Sequence, residues 1–252
     1  MKKEFEVTEY VILTHKPIES ISIALIADLH GRPYEPVLRC LDSRRPDLIA
    51  IVGDVIEGDC EPYPFPFFAD CAGIAPTYFS LGNHERKITE SDIQSISDTG
   101  TIVLDNSWCG YRKGIIIGGM TSPFVTEWRD THQIKLRYAL PNHAWIDDFE
   151  KQDDFKILLD HHPENYPRLT MRREIDLILS GHAHGGQIRI LGHGLYAPHQ
   201  GFFPKYTSGV YENRLVVSRG LSNSKLIPRF GNPKEIVIVN ISSRAAESSQ
   251  KE

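Results

Sequence analysis

The chain is predicted to be an α/β protein. Short, continuous apolar runs recur along it, and such runs are typical of strands that are buried on both faces. Segments of helical pattern lie between several of these runs, and the links are short. A chain of 252 residues can bury a substantial core, and α/β domains of this size commonly stay undivided. We therefore expect one domain over residues 1–242 and a polar, disordered tail over residues 243–252.

The strands are predicted from apolar runs that end at polar or turn residues. The runs 21–27 and 48–52 are continuous, which favours fully buried strands. After residue 179 the pattern changes to short, spaced strands. In chain order, the predicted strands are residues 6–13, 21–27, 48–52, 78–81, 102–104, 108–111, 115–118, 156–159, 175–179, 187–190, 214–217 and 235–241.

Helices are predicted between these strands. A short helix is expected at 36–43, and residues 64–71, rich in Phe and Pro, should form a helix or a turn. The segment Thr89-Glu90-Ser91-Asp92 resembles a capping box, which predicts a helix from about Thr89. Residues 123–150 are polar and aromatic with a partly helical pattern, and we expect them to form a lid or rim insertion.

Composition excludes several classes of protein. The net charge of −5 and scattered basic residues give no general attraction to polyanions, so no nucleic-acid partner is expected. The four cysteines lack the spacing of a zinc knuckle or redox pair, and are expected to be reduced thiols: Cys40, Cys60, Cys71 and Cys109. No stretch approaches the roughly 20 apolar residues of a membrane span, so a cytoplasmic protein is expected.

Five clusters of metal-ligand residues each follow a predicted strand. They read ADLHG with Asp28 and His30, VGDVIE with Asp54, LGNHE with Asn83 and His84, LLDHHPE with His161, and GHAHGG with His182 and His184. A lone HxH proves little, and a single Asp after a strand more often caps a helix. Because sites in α/β sheets form outside the carboxyl ends of strands, we expect these side chains to converge on one pocket.

The ordered motifs DxH, GDxx, GNH[DE], a lone His and GHxH resemble the calcineurin-like metallophosphoesterase superfamily. The resemblance implies a metallo-dependent phosphatase-like fold, a four-layer α/β architecture in which a two-sheet β-sandwich is flanked by helices. Later segments are similar to a branch of small bacterial phosphodiesterases related to UDP-diacylglucosamine pyrophosphatase: LYAP (195–198), GFFPKY (201–206), SRGLSNS (218–224) and NPKEI (232–236). Members of that branch often carry a membrane anchor or export signal, which is not seen here. Peripheral membrane contact remains compatible with the sequence.

The resemblance also implies roles for individual residues. Asp54 matches a carboxylate that bridges two divalent cations. The first cation would be held by Asp28, His30 and His184, and the second by Asn83, His161 and His182. Imidazole and carboxylate ligands without thiolate suit Mn, Fe or Zn. His84 resembles the histidine that protonates the leaving group, and Glu57 could orient its imidazole.

The other histidines have less specific predicted roles. His161 is favoured over His162 as the ligand because of the spacing His, any residue, Pro, and His162 would then lie behind the ligands or be exposed. The remaining ones are expected to be ordinary polar residues: His15, His132, His143, His193 and His199.

The predicted function is a dinuclear metal-dependent phosphoesterase that hydrolyses phosphodiester, pyrophosphate or phosphomonoester bonds. Two aromatic segments, 63–68 and 202–206, could form an apolar collar for a lipid-linked phosphate ester, or could instead fill the core. A noncatalytic scaffold of the same fold is the alternative, although every ligand position is filled. A nuclease is disfavoured by the lack of a basic groove.

Overall fold

The computed structural model of the protein describes residues 4–57, 63–132, 142, 144–222 and 228–244. Some sequence predictions fall outside this part of the chain. They concern Cys60, His143, Asn223, Ser224, residues 133–141 within the expected insertion, and residues 245–252 of the expected tail.

Strands and helices alternate through most of the described chain. The helices are α1 (Glu35–Arg44), α2 (Phe65–Ile74), α3 (Glu90–Asp98), α4 (Pro123–Thr131) and α5 (Ile146–Glu150). The strands are β1 (Glu6–Thr14), β2 (Ile21–Ile26), β3 (Leu48–Val52), β4 (Thr77–Ser80), β5 (Ile102–Leu104), β6 (Ser107–Arg112), β7 (Ile115–Met120), β8 (Phe155–Asp160), β9 (Leu177–Ser180), β10 (Arg189–Ile190), β11 (His193–Gly194), β12 (Tyr196–Ala197), β13 (Gly201–Phe202), β14 (Gly209–Tyr211), β15 (Leu215–Val217) and β16 (Glu235–Ser243).

Twelve of these strands form two mixed six-stranded sheets. The first sheet has the order β1-β16-β2-β3-β4-β5, and the second has the order β14-β15-β9-β8-β7-β6. Strands β2 to β5 run parallel to one another, as do β7, β8, β9 and β15. The carboxyl ends of the parallel strands therefore lie at one edge of each sheet.

Apolar side chains fill three layers around the two sheets. One cluster lies between the sheets and joins residues such as Leu25 of β2 to Ile157 of β8. A second cluster packs α1, α2 and α3 on the outer face of the first sheet, and a third packs α5 on the outer face of the second. The two-sheet sandwich flanked by helices is therefore confirmed, with the helices of its outer layers covering both sheets.

The structure confirms some of the predicted elements and corrects others. The Phe-rich segment is a helix, α2, whose Phe67 and Phe68 are fully buried. Thr89 caps α3 as predicted, since its hydroxyl accepts the Asp92 N–H. Ser243, assigned to the disordered tail, instead ends β16, because its backbone pairs with Thr14 of β1. The prediction of the tail boundary was therefore wrong at this residue.

The expected insertion at 123–150 is helical in part. Its described portion contains α4 and α5, and both Ile146 and Phe149 of α5 are fully buried in the third cluster. These residues are core residues of the domain and not part of a lid. Apolar burial at α5 was hidden in the sequence because acidic residues separate its two buried side chains.

Candidate metal centre

Loops at the carboxyl ends of five parallel strands carry the predicted ligands. Asp28 follows β2, Asp54 follows β3 and Asn83 follows β4 in the first sheet. His161 directly follows β8 in the second sheet, and His182 follows β9. The sandwich places these ends side by side, so the ligands of both sheets face one pocket.

The backbone is strained at most of the predicted ligands. Five of them have φ between +45° and +61°, a left-handed conformation that is uncommon for residues with a side chain: Asp28, His30, Asp54, His182 and His184. Such conformations cost free energy and persist where the surrounding structure over-determines them, as at functional sites. Two backbone hydrogen bonds lock the first two turns together, from the Asp28 N–H to the Gly53 carbonyl at 3.2 Å and from the His30 N–H to the Asp54 carbonyl at 3.0 Å.

Two glycines permit the close approach of these loops. A Cβ on Gly53, which has φ +75°, would lie 2.6 Å from both the Gly82 Cα and the His161 Nδ1. A Cβ on Gly220, with φ +72°, would lie 2.4 Å from the Asp28 carboxylate. Gly220 belongs to no predicted ligand motif, yet its lack of a side chain makes room for a ligand.

One group of possible ligand atoms consists of Asp28, His30 and His184, whose atoms lie within 4.8 Å of one another. The Asp28 Oδ1 lies 3.7 Å from the His184 Nε2 and 3.9 Å from the His30 Nε2. All three side chains are buried, and the Asp28 carboxylate also accepts the His182 backbone N–H.

A second group consists of Asp54, His161 and His182, again within 4.8 Å. The Asp54 Oδ2 lies 3.2 Å from the His161 Nε2 and also 3.8 Å from the His30 Nε2 of the first group. A single carboxylate oxygen is thus close to imidazoles of both groups. Asn83 lies in the neighbouring turn, and its Oδ1 is buried without a hydrogen bond among the described residues.

The donor atoms fit divalent cations. Buried atoms with no hydrogen-bond partner in the described part of the chain include, among the predicted ligands, His30 Nε2, Asn83 Oδ1 and His161 Nε2. Leaving a buried polar atom unpaired costs about 1–3 kcal/mol, and a bound cation would remove this penalty. Nitrogen and carboxylate donors without thiolate suit Mn, Fe or Zn.

Protonation in the cation-free centre follows from burial and from the carboxylates. Burial lowers the pKa of His30 and of His184 to about 4, and lowers that of His182 well below its usual value. These imidazoles are therefore neutral, which is the form that binds a metal. Burial also opposes the charge of His161, but the Asp54 carboxylate outweighs it and raises the His161 pKa to about 10. The His161 imidazole and the Asp54 carboxylate form an ion pair, with 3.2 Å between Nε2 and Oδ2.

Glu85 is a buried carboxylate that the sequence reasoning did not single out. Its Oε2 accepts the backbone N–H groups of Gly82 at 2.8 Å and Asp54 at 2.9 Å, and its Oε1 accepts that of Val55 at 2.8 Å. Glu85 thereby holds the turn after β3 against the turn after β4. The GNHE motif contained this residue, but its role depends on a contact 30 residues away along the chain.

His84 and Glu57 lie at the outer side of the centre. The His84 side chain is 28% exposed, and its Nε2 lies 3.9 Å from the Asp54 Oδ2. The His84 backbone N–H donates to the Asp54 Oδ1 at 2.8 Å. The Glu57 carboxylate lies 3.4 Å from the His30 Nδ1, and its ligand atom is within 4.8 Å of those of both His30 and His84. Glu57 is thus placed to orient either imidazole.

The adjacent histidines 161 and 162 face different surroundings. His161 faces Asp54, whereas the buried His162 contacts the Ser122 hydroxyl and the Glu164 carboxylate. His199, expected to be an ordinary polar residue, instead stacks on His182 with ring centroids 5.3 Å apart. The local sequence around His199 carries no signal for this contact, which arises only when the loop after β12 folds back.

The family of the protein follows from this centre together with the comparisons with known proteins. The model of the calcineurin-like phosphoesterase family matches residues 21–186, which include every predicted ligand. The chain belongs to this family. Its members are metal-dependent phosphoesterases, and the clustered His and Asp residues of this chain are groups that could hold the metals.

Relatives of this calcineurin-like phosphoesterase cover most of its length. An uncharacterized metallophosphoesterase of Aquifex aeolicus is 25% identical over 94% of this chain and 92% of its own. The phosphodiesterase YaeI of Escherichia coli is 29% identical over 67% of this chain and 62% of its own. Among solved structures, the sulfate thiohydrolase SoxB of Thermus thermophilus in complex with glycerol has a TM-score of 0.50 at 14% identity, covering 90% of this chain and 57% of that one. The likeness to that structure shows a shared fold.

The first testable prediction concerns Glu85. In a Glu85→Gln variant, an NH₂ group would replace one oxygen that accepts backbone N–H groups, leaving buried donors unpaired. We expect the free energy of unfolding in urea to fall by about 2 kcal/mol or more, on the basis of the usual cost of such donors. Bound metal should fall with it, because the turns that carry Asp54 and Asn83 separate.

The matched control is Glu19→Gln, which changes an exposed carboxylate in the loop between β1 and β2. This variant should unfold within about 0.5 kcal/mol of the wild type. Equal stability of the Glu85→Gln and Glu19→Gln variants would contradict the role assigned to Glu85.

Proposed function

We propose that the protein is a two-metal hydrolase that cleaves phosphodiester or pyrophosphate bonds, or phosphomonoesters, with water as the nucleophile. The observation that carries this proposal is the position of Asp54, whose one oxygen lies between two separate groups of buried ligands. The relative in Escherichia coli that is named a phosphodiesterase supports the diester as the first bond to test.

Each group of ligands would hold one cation. Asp28, His30 and His184 would hold the first, and Asn83, His161 and His182 would hold the second, with Asp54 shared between them. When bound, two such cations supply charge that clamps a phosphoryl group and makes the attacking water more acidic. The protein supplies a buried setting in which these charges are weakly screened.

His84 is assigned to the leaving group. It is the most exposed of the imidazoles around Asp54, and its backbone N–H is fixed by the Asp54 Oδ1, which sets the position of the side chain. A protonated His84 would donate a proton to the departing oxygen, while Glu57 orients the His84 and His30 imidazoles at the outer side.

The two aromatic segments help to decide the class of substrate. Of the two alternatives for the aromatic segments, collar or core, the first segment takes the core, since Tyr63, Phe67 and Phe68 are buried. The second segment is different, because Phe202 is 78% exposed and Phe203 is 80% exposed.

Phe202 and Phe203 belong to a larger exposed apolar patch on the loops after His184. Its members are Ile190, Leu191, Phe202, Phe203 and Phe230, which are between 53% and 94% exposed. Backbone hydrogen bonds join their segments, from the Phe203 N–H to the Leu195 carbonyl and from the Arg189 N–H to the Phe230 carbonyl. Exposed apolar patches mark contact surfaces, so we propose a lipid-linked phosphate ester as substrate, with these rings resting against the membrane surface. Among the described residues, no helix has both the length and the apolar character needed to cross a bilayer.

The next prediction tests the metal centre. Asp54→Ala should lose metal and turnover together, because both cations lose a ligand, and Asn83→Ala should lose turnover. Metal content is measured by elemental analysis, and turnover by hydrolysis of bis-p-nitrophenyl phosphate and p-nitrophenyl phosphate with added Mn. The exposed His193→Ala serves as the control and should match the wild type in both. A wild-type protein with no bound transition metal and no Mn-dependent turnover would refute the hydrolase assignment.

A further prediction separates the acid from the ligands. His84→Ala should lose about 10²-fold or more in rate, the scale of general acid catalysis, while its metal content stays near that of the wild type. Esters with good leaving groups should lose less, since they need no proton. The measurement is the rate of a series of aryl phosphodiesters of graded leaving-group pKa. The same loss across the whole series would rule out the acid role.

The last prediction on this function concerns the apolar patch. Phe202→Ser with Phe203→Ser should lower kcat/KM on a lipid-linked diester or pyrophosphate in vesicles and leave hydrolysis of bis-p-nitrophenyl phosphate unchanged. The reason is that these two exposed rings become buried only when they contact lipid. Burial of apolar surface contributes roughly 25 cal/mol per Å² to binding, before the cost of ordering the groups is subtracted. Val11→Ser, on β1 and 62% exposed, is the control for loss of an exposed apolar side chain. Equal losses on both substrates would disprove lipid contact.

A further inference from the structure

A buried polar chain leads from α4 to the metal centre. The Ser122 hydroxyl, at the residue that precedes α4, lies 2.8 Å from the His162 Nε2. The His162 Nδ1 lies 3.1 Å from the Glu164 Oε1. These three residues are at most 7% exposed, and none is among the predicted metal ligands.

The direction of these hydrogen bonds follows from their chemistry. A carboxylate oxygen accepts, so the His162 Nδ1 donates to Glu164. The Ser122 hydroxyl lies within hydrogen-bond distance of the other ring nitrogen, Nε2. His162 thus fixes the position of Glu164, and Ser122 fixes that of His162.

Glu164 also lies beside His182. The Glu164 Oε1 lies 3.8 Å from the His182 Nε2, and the two residues share a group of possible ligand atoms with His162. Both the Glu164 Oε2 and the His182 Nε2 are buried without a hydrogen bond among the described residues. An acceptor with spare capacity therefore lies beside a donor position that has no other partner.

Aromatic rings pack beside this contact. His199 stacks on His182, while Phe124 at the start of α4 lies against both His162 and His199, with ring centroids 6.0 and 5.2 Å away. The stacking therefore limits how far the His182 ring can turn away from Glu164.

We propose that Glu164 is a positioning residue for His182. By accepting the hydrogen of Nε2, it fixes the tautomer that leaves the lone pair on Nδ1 for the second cation. Carboxylates that bind the far nitrogen of a metal-bound histidine orient the ring and raise its basicity, and their loss typically costs 10- to 100-fold in metal affinity or activity. The inference rests on the proposed function, because it takes His182 as a ligand of the second cation.

The test is metal binding by the full chain, measured by chelator competition with Mn and with Zn. Glu164→Gln keeps the shape of the side chain but removes one of its two acceptor oxygens. The affinity for one of the two cations should fall by 10- to 100-fold, while the affinity for the other stays unchanged. Glu164→Asp, which keeps the charge, should recover part of the loss. Ser122→Ala should shift the same affinity in the same direction by less. Glu212→Gln is the control, because Glu212 accepts a hydrogen bond from Tyr166 away from the cluster.

A second measurement distinguishes the positioning role of Glu164 from a general contribution to stability. Nitrogen-15 NMR of the histidine rings in metal-free protein should show the Nε2–H tautomer of His182 in the wild type and a mixture in Glu164→Gln. If Glu164→Gln does not fold, the same spectrum and affinities of Glu164→Asp decide the question.

The outcomes separate this inference from the proposed function. A wild type that binds neither Mn nor Zn refutes the hydrolase itself. Two cations in the wild type with unchanged affinity and tautomer in Glu164→Gln overturn the positioning role alone. Three cations in the wild type and two in Glu164→Gln would also overturn it, since Glu164 would then be a ligand.

Discussion

The buried charge of Asp54 is the interaction on which the rest of the centre depends. A carboxylate that is 1% exposed pays a large desolvation penalty unless opposite charge or hydrogen bonds surround it. Here the His84 backbone N–H and the His161 imidazole provide that compensation, and divalent cations would provide more of it. Cations bound at such a site would satisfy protein groups that are otherwise only partly satisfied.

The two sheets provide the rigidity that this arrangement requires. Left-handed turns at five ligands and the contact across Gly53 are unfavourable in isolation, and only packed strands on both sides hold them. Ligands from the first sheet meet ligands from the second across the pocket. Metal binding by these residues would therefore be coupled to the stability of the whole sandwich, and not to one loop.

Two carboxylates shape the centre without being predicted ligands. Glu85 holds backbone donors of two turns, and Glu164 lies beside His182 with His162 and Ser122 behind it. Both are buried, so each acts through hydrogen bonds in a setting of low dielectric constant, where a misplaced partner is costly. The exposed apolar patch lies on short strands and loops that follow His184 along the chain.

The sequence by itself determined the α/β class, nearly all the strands of both sheets, and the order of the ligand motifs. Continuous apolar runs and capping residues are local signals, which is why strand 48–52 was predicted to the residue and the start of α3 was predicted near Thr89, its N-cap. The two-sheet arrangement came from the family resemblance, because periodicity contains no information on which strands pair. Only the tertiary structure decided that Phe67 is buried while Phe202 is exposed, that Ser243 belongs to β16, and that Glu85, Glu164, His199 and Gly220 adjoin the ligands. Each of these outcomes depends on a neighbour that is distant along the chain, and composition and spacing record nothing about such neighbours.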